Sequence, residues 1–190
     1  MNYRKATKAD SAAIAPLILL AMEEIVYKFI GMEDHEAALN FLSHFVSAEN
    51  NQYSYENCLV AESNGKIAGA INLYDGGELV QLREPVINYV RLNFNENFSP
   101  EDETQAGEFY IDSLGVLPDM QGRGIGSQLL QFAIDEYVTR QLKTLGLLVD
   151  EDNQEARKLY LKLGFLSVGR KTLVGKKMEH LQMTTFAHSG

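Results

Sequence analysis

The sequence is poor in cysteine and in metal-ligand patterns. Cys58 is the only cysteine among 190 residues, which excludes an intrachain disulfide. Because the apolar residues 59–61 follow it, we expect a buried strand thiol, and no activating partner for a nucleophilic role is evident. The four histidines are scattered without metal-ligand spacing, so no metal is expected. They are His35, His44, His180 and His188.

Basic residues are fewer than acidic ones. Seventeen Lys and Arg against 26 Asp and Glu give a formal net charge of −9. Proteins that bind nucleic acid need positive charge to neutralise phosphates, so this balance argues against such a partner. The charge is also uneven, because residues 92–122 contain seven acids and no base, whereas residues 157–177 contain seven bases and no acid. This asymmetry suits a polyanionic cofactor beside a cationic substrate, or simply two solvated faces.

The sequence has no apolar run long enough to span a membrane, which requires about 20 residues. The apolar run at residues 12–22 superficially resembles a signal peptide. Asp10 and Pro16 interrupt that pattern, and Glu23 and Glu24 close the run. We therefore expect a cytoplasmic protein without a membrane partner.

The first half predicts a strand, two helices and a hairpin. The strand is predicted at 2–7, and the hairpin strands at 58–62 and 66–73. The first helix is predicted to run from a cap at Asp10 or Thr7 to about Ile30, and the second over 33–49. Pro16 predicts a kink in the first helix, and Asn64-Gly65 is a strong hairpin signal. Residues 78–98 are ambiguous, with Pro85 arguing against one continuous helix. Residues 99–107 predict an acidic loop, of a kind that often forms a lid or substrate wall.

The second half predicts alternating strands and helices. The strands are predicted at 109–117, 145–149, 166–171 and 178–185, with a turn at 175–177 between the last two. The helices are predicted at 124–142 and from a cap at Asp152 or Asn153 to Gly164. No internal repeat or linker is present. One α/β domain over residues 1–190 is therefore the simplest interpretation.

The stretch between residues 108 and 126 places glycines where a strand leads into a helix. Pro118 and Asp119 end the strand, and Gln121-Gly122-Arg123-Gly124-Ile125-Gly126 precedes the apolar helical run. Glycine lets the backbone approach a ligand closely, and the free N–H groups of a helix start suit a pyrophosphate. A Walker P-loop is excluded because no lysine follows Gly126. The dinucleotide fingerprint is excluded because the third glycine falls one position early.

Two blocks carry a family resemblance. The first is Leu114-Gly115-Val116-Leu117-Pro118 followed by the glycine run, which fits [QR]-x-x-G-x-[GA]. The second begins at Asn153 and ends at Leu163-Gly164-Phe165. In this order and spacing they resemble the GNAT superfamily of N-acetyltransferases. The resemblance implies a mixed, twisted central sheet of about six or seven strands, flanked by helices and splayed to bind coenzyme A.

The resemblance also implies acetyl-CoA as cosubstrate and a set of contacts to it. The implied cofactor-binding residues are Leu114, Gly115, Val116, Gln121, Gly122, Arg123, Gly124, Ile125, Gly126, Ser127, Asn153, Ala156 and Tyr160. The phenol of Tyr160 could protonate the departing thiolate. Alternatively, Tyr160 could be only a core residue and Asn153 only a helix cap.

The acceptor side offers two candidate general bases. Alternation along the strand places Glu108, Tyr110 and Asp112 on one face. In histone-modifying members of the superfamily a glutamate base corresponds to Tyr110 here, so that role does not transfer. Glu108 or Asp112 could accept the amine proton, with Asp112 favoured because it lies nearer the thioester. Alternatively, these acids only attract a cation.

The predicted function is therefore acetyl transfer from acetyl-CoA to a primary amine by direct attack in a ternary complex. A small-molecule amine, possibly cationic, is favoured. Two alternatives remain, namely a protein or peptide amine as acceptor and a non-catalytic acyl-CoA-binding regulatory module. A closed lid over residues 78–107 would favour a small amine, and an open groove would favour a peptide. A homodimer is compatible with the sequence but does not follow from it.

Overall fold

The computed structural model describes residues 1–185, which excludes His188, and contains one seven-stranded sheet covered by helices. The strands are β1 (Asn2–Lys5), β2 (Cys58–Ser63), β3 (Lys66–Asp75), β4 (Phe109–Val116), β5 (Leu145–Asp150), β6 (Leu166–Leu173) and β7 (Lys176–Met183). The α-helices are α1 (Ser11–Ile30), α2 (His35–Val46), α3 (Leu79–Asn93), α4 (Ile125–Ala133) and α5 (Gln154–Leu163). The order β1-β2-β3-β4-β5-β7-β6, with only β4 and β5 parallel, confirms the mixed sheet.

Helices cover both faces of the sheet, which explains why its inner strands are apolar throughout. In β2, Cys58 and Val60 pack with α1 and α2, whereas Leu59 and Ala61 pack with α4 on the opposite face. A strand covered on both faces has no solvent side and needs no polar alternation. The predicted buried thiol is confirmed, and burial raises the pKa of Cys58 to about 12.

Helix α1 bends at Met22 and not at Pro16, which corrects the predicted site of the kink. Met22 has φ −139° and ψ 24°, outside the helical region. A proline removes one backbone hydrogen bond, and α1 passes through Pro16 without leaving helical geometry there. Gly31 ends the helix with φ 71°, as a left-handed cap favours glycine.

Helix α3 is continuous through Pro85, so the prediction that this proline would interrupt it was wrong. Leu79, Arg83, Val86 and Val90 form one buried stripe along the helix, whereas Pro85 is exposed. Water can therefore bond the carbonyl that the proline leaves free. Burial of the stripe outweighs the cost of the proline, about 3 kcal/mol.

Two further ranges needed correction. The helix predicted over 124–142 is α-helical only to Ala133 and continues as a π-helix over Ile134–Arg140. The β6–β7 turn is centred on Val174 and Gly175, with φ 52° and 79°, so the lysines predicted in the turn begin β7. Two successive left-handed residues make the tight turn that matches strand twist, as at the confirmed Asn64-Gly65 hairpin.

Strand β4 has two irregularities that shape the site. Its pairing with β5 ends at Ile111↔Leu147, although β4 runs on to Val116, and this confirms the predicted splay. On its other edge, Asn72 pairs with Ser113 but Leu73 pairs with Ile111, which leaves Asp112 as an extra residue. Such a bulge redirects the side chain and leaves the extra residue out of the ladder.

Candidate active site

The start of α4 concentrates unpaired backbone donors. Gly122 and Gly124 have φ of 73° and 78°, a region that other residues adopt only with strain. Gly124 is the N-cap and offers no side chain, and the bond from Gln128 N–H to Gly124 O (3.0 Å) is the first of the helix. Within residues 1–185, the N–H groups from 122 to 127 have no intramolecular acceptor. This geometry suits an anion.

The side chains of Gln121 and Arg123 fold back onto the preceding turn. Gln121 Nε2 donates to Val116 O at 3.1 Å, and Arg123 Nη2 donates to Asp119 O at 3.1 Å. Both residues are exposed. Their side chains therefore hold the glycine loop in shape, and their backbone groups face the site.

Helix α4 begins directly over the unpaired end of β4. A Cβ added to Gly126 would lie 3.6 Å from Leu114 Cδ2 and 3.7 Å from Val116 Cγ2, which is ordinary contact. A Cβ added to Gly115 would instead overlap the Leu17 carbonyl, because α1 packs against the opposite face of the strand. The structure thus brings Leu114, Gly115, Val116 and the loop 121–127 together at the splay.

The second block supplies a helix cap and a half-buried phenol. Asn153 Oδ1 accepts a bond from Ala156 N at 3.1 Å, so Asn153 does cap α5. Tyr160 lies with its ring centroid 5.9 Å from that of Phe165, in the apolar cluster that also contains α4. Burial raises the pKa of the phenol. Among the described residues its hydroxyl has no hydrogen-bond partner, so it is free to act on a ligand.

Asp112 lies on the other face of the sheet, at a small cavity. Its Oδ2 atom is buried and has no hydrogen-bond partner within residues 1–185. The cavity has about 30 Å³ open to the centre of a water molecule, enough for about two waters. It is lined by Met22, Ile25, Phe29, Tyr53, Pro100, Glu101, Glu103, Asp112, Leu173 and Val174.

A buried ion pair lies next to Asp112. Glu103 binds the guanidinium of Arg83 and also accepts bonds from the Tyr74 hydroxyl (2.9 Å) and Gln52 Nε2 (3.4 Å). Asp112 forms no ion pair with any described residue. The arginine therefore neutralises Glu103 and leaves Asp112 without a cation.

The environment of Asp112 favours its protonated form. Burial foremost, and then the negative charge of Glu103, raise the pKa of Asp112 to about 8, whereas Arg83 and a hydrogen bond from the Gln52 side chain act in the opposite direction. A carboxyl with this pKa is a competent proton acceptor near neutral pH. Glu103 and Arg83 were not among the site residues predicted from the sequence. One sequence feature could have identified Arg83, namely its position as a charged residue on the apolar stripe of α3. A buried charge requires a partner of opposite charge, and this would have pointed to an acid nearby.

The carboxylate of Glu108, the other candidate base, already has three hydrogen-bond partners. Thr104 Oγ1 donates to it at 2.7 Å and Gln182 Nε2 at 2.6 Å, and His180 Nε2 lies 2.8 Å from its Oε2. A Cβ on Gly146 would overlap the Glu108 carboxylate, so the glycine makes room for it. Glu108 therefore joins the 99–107 segment to β5 and β7, and the geometry favours Asp112 over Glu108 as the base.

The acidic and basic segments of the chain meet at this site. Lys171 Nζ donates to Glu103 O (3.3 Å) and Gln105 Oε1 (2.9 Å), and Val174 N donates to Glu101 Oε2 (3.4 Å). The β6–β7 hairpin thus covers the 99–107 segment. The acidic and basic segments are therefore in contact with each other. This argues against the interpretation of the charge asymmetry as two separate solvated faces.

Residues 1–185 contain neither a membrane-spanning helix nor a cluster of metal ligands. None of the helices within residues 1–185 is long and apolar enough to cross a bilayer. In the same part of the chain, no group of three or more His, Cys, Asp or Glu side chains is arranged to hold a metal ion.

The match to a known family decides the identification. The model of the Acetyltransferase (GNAT) family matches residues 27–165. The chain belongs to this GNAT acetyltransferase family. The GNAT family uses acetyl-CoA as its acetyl donor. The seven-stranded mixed sheet flanked by helices is accordingly a GNAT fold, as the two sequence blocks predicted.

Relatives agree with this assignment. A solved acetyltransferase structure superposes with a TM-score of 0.79 at 32% identity, covering 97% of this chain and 99% of that one. The "Uncharacterized N-acetyltransferase YhfO" of Bacillus subtilis is 28% identical over 87% of this chain and 89% of its own length. The mycothiol acetyltransferase of Tsukamurella paurometabola is 33% identical over 52% of this chain, and the match spans only 29% of that enzyme.

Proposed function

We propose that this GNAT protein is an N-acetyltransferase that transfers the acetyl group of acetyl-CoA to a small primary amine. Residues 1–190 form its single catalytic domain, and the transfer is direct, within a ternary complex. The observation that carries the proposal is the buried, unpartnered carboxyl oxygen of Asp112. It lies on the bulge of β4, two residues before Leu114, at the small cavity described above. We call this the acceptor cavity, because we propose that the amine binds there.

The donor side has the groups that coenzyme A requires. The cosubstrate supplies an acetyl group activated as a thioester. The N–H groups of residues 122–127 bind its pyrophosphate, because these donors have no other acceptor in the described chain. The unpaired edge of β4 from Leu114 to Val116 binds the pantetheine arm. One of its N–H groups polarises the thioester carbonyl, as in an oxyanion hole.

Asp112 prepares the acceptor. An amine arrives protonated, and its ammonium must lose a proton before nitrogen can attack. Asp112 Oδ2 accepts that proton, which its raised pKa favours. Direct attack agrees with the chemistry available nearby, because the thiol of Cys58 is buried with a pKa raised to about 12 and is a poor nucleophile.

Tyr160 serves the leaving group. Its hydroxyl is unpartnered among the described residues, and its raised pKa keeps it protonated at neutral pH. It therefore donates its proton to the departing thiolate sulfur. Asn153 contributes by fixing the start of α5, which places Tyr160 two turns later.

The form of the acceptor cavity supports a small amine over the two alternatives. Segment 99–107 and the turn at Val174 close the cavity, and an open groove for a peptide would require both to move. A non-catalytic acyl-CoA-binding module would have no use for an unpaired buried carboxyl, which is costly to keep.

Calorimetry with acetyl-CoA, followed by an amine screen that detects released thiol, tests the proposal. We expect acetyl-CoA to bind with a micromolar dissociation constant and at least one small primary amine to accelerate thiol release. The absence of acetyl-CoA binding would contradict the donor side. Binding without acceleration by any small amine, together with acceleration by peptides, would instead favour a peptide acceptor.

A further inference from the structure

Apart from three carboxylates and Tyr53, the walls of the acceptor cavity are apolar. Met22, Ile25 and Phe29 line it from the kinked half of α1, and Leu173 lines it from the β6–β7 turn. Phe29 is held edge-on against Phe98, with ring centroids 4.8 Å apart. Such a surface favours a hydrocarbon body and cannot compensate the desolvation of a second charge.

Only one of the carboxylates that line the cavity is both buried and available to bind a cation. Glu103 is satisfied by Arg83, Tyr74 and Gln52. Glu101 is exposed at the rim, and its Oε2 accepts the Val174 N–H at 3.4 Å. Of the three carboxylates that line the cavity, only that of Asp112 has a buried oxygen, Oδ2, without a hydrogen-bond partner in residues 1–185. One unsatisfied acid matches one ammonium group.

From this arrangement we infer that the acceptor is a monoamine, with one ammonium group on a compact apolar body, and that diamines and polyamines are poor ligands. The inference rests on the proposed function and names its substrate class. It also specifies a smaller class of acceptors than the acidic composition did, since that composition suggested cationic acceptors in general. Three acids of the segment 92–122 line the cavity, but Glu103 is neutralised by Arg83 and Glu101 faces solvent, which leaves Asp112 as the buried acid without a cation.

Entry to the cavity passes the β6–β7 turn. Lys28 Nζ on α1 donates to Val174 O at 3.1 Å, and Lys176 pairs with Glu24 at 3.0 Å. These exposed contacts are individually weak, so the turn can open at low cost. Because the closed cavity holds only about two waters, an amine requires the turn to move outwards, and its body then lies against Leu173 and Phe29. A second ammonium on that body would have no buried, unpaired acid to bind.

Hexylamine and 1,6-diaminohexane form a matched pair of probes, because they share one carbon chain and differ by one ammonium group. Calorimetry at pH 8.5 in the presence of coenzyme A measures their dissociation constants without requiring turnover. We expect hexylamine to bind at least tenfold more tightly than the diamine. Equal or tighter binding of the diamine, or no binding of either amine, would overturn the inference.

The variant Leu173→Glu adds a carboxylate to the apolar wall without touching the core. It is expected to weaken or abolish the preference for hexylamine, raising the affinity for 1,6-diaminohexane relative to hexylamine at least tenfold. Val80→Glu is the control, because Val80 is 78% exposed on α3 and the charge change is the same. The same relative gain in the control, or no change in Leu173→Glu, would contradict the assignment of the wall.

The outcome can be separated from that of the proposed function. If hexylamine binds selectively but no N-acetyl product forms, the substrate class stands and the acetyltransferase proposal fails. If other amines are acetylated while the diamine binds as well as hexylamine, the acetyltransferase proposal stands and this inference fails.

Discussion

The guanidinium of Arg83 is bound by the carboxylate of Glu103, with the two side chains only 5% and 9% exposed. This pair comes from the middle of α3 and from the acidic segment 99–107, and it lies beside the acceptor cavity. It determines the chemistry of the site indirectly, because the arginine that could have neutralised Asp112 is held by Glu103.

Loss of the arginine should destabilise the protein strongly. Arg83→Met leaves the buried Glu103 without its cation, and we expect the free energy of unfolding to fall by about 3–5 kcal/mol. Denaturant unfolding measures the change. The double variant Arg83→Met with Glu103→Gln should recover part of it, because no charge is then left unpaired. A loss below about 1 kcal/mol in the single variant would show that the pair is not buried as described.

Asp112 should make the stability of the ligand-free protein depend on pH. Its pKa rises from 3.8 in the unfolded chain to about 8 in the folded protein. The folded state therefore holds this proton more tightly, and the stability it contributes below about pH 4 is lost as the pH rises towards 8. Compared with Asp112→Asn, the wild type should lose more than about 1 kcal/mol between pH 5 and pH 8. Parallel stability curves for the two proteins would refute the raised pKa.

Replacing a glycine of the loop 121–127 should lower both stability and acetyl-CoA affinity, whereas replacing a distant glycine should lower stability alone. Gly124→Ala places a side chain at φ 78° and should cost about 1–2 kcal/mol of stability. Because the N–H groups of the loop would shift, acetyl-CoA should also bind about tenfold more weakly. Gly65→Ala, at φ 75° in the distant hairpin, should cost similar stability and leave acetyl-CoA affinity unchanged. Calorimetry that finds the two variants equal in affinity would remove the loop from the donor site.

The hydroxyl of Tyr160 should matter for turnover and not for folding. Tyr160→Phe removes a group with no partner in the described chain, so its melting temperature should match that of the wild type. Its kcat should fall about 10²-fold, while the KM for acetyl-CoA stays within about twofold. Tyr137→Phe, another half-buried tyrosine in the same apolar cluster, should retain full kcat. Unchanged kcat in Tyr160→Phe would leave Tyr160 as a core residue only.

The sequence predicted the parts of the fold that follow from local chemistry. The blocks at 114–126 and 153–165 located the splayed strands, the free helix start and the cap at Asn153. Alternation correctly placed Glu108, Tyr110 and Asp112 towards one face. These features depend on residues close together in the chain, such as Asn64-Gly65 or Gly124.

The remaining features depend on contacts between distant segments. The residues near Glu108 do not predict that its carboxylate will bind Thr104, His180 and Gln182, because two of these partners lie more than 70 positions away in the chain. The ion pair between Arg83 and Glu103 was not predictable either, since the sequence of residues 99–107 predicts only an ordinary acidic loop. The continuity of α3 through Pro85 likewise became clear only when the exposed position of the proline was known.

Comparison of Asp112→Asn with Glu108→Gln tests the central claim most directly. The measurement is the rate of N-acetylated amine formation, followed by mass spectrometry across pH 6–9. For the wild type, kcat/KM should rise with pH up to about 8, as Asp112 loses its proton. Asp112→Asn should lose at least about 10²-fold in rate while still binding acetyl-CoA, and Glu108→Gln should keep the wild-type pH profile. Full activity in Asp112→Asn, or loss of the pH dependence only in Glu108→Gln, would contradict the account.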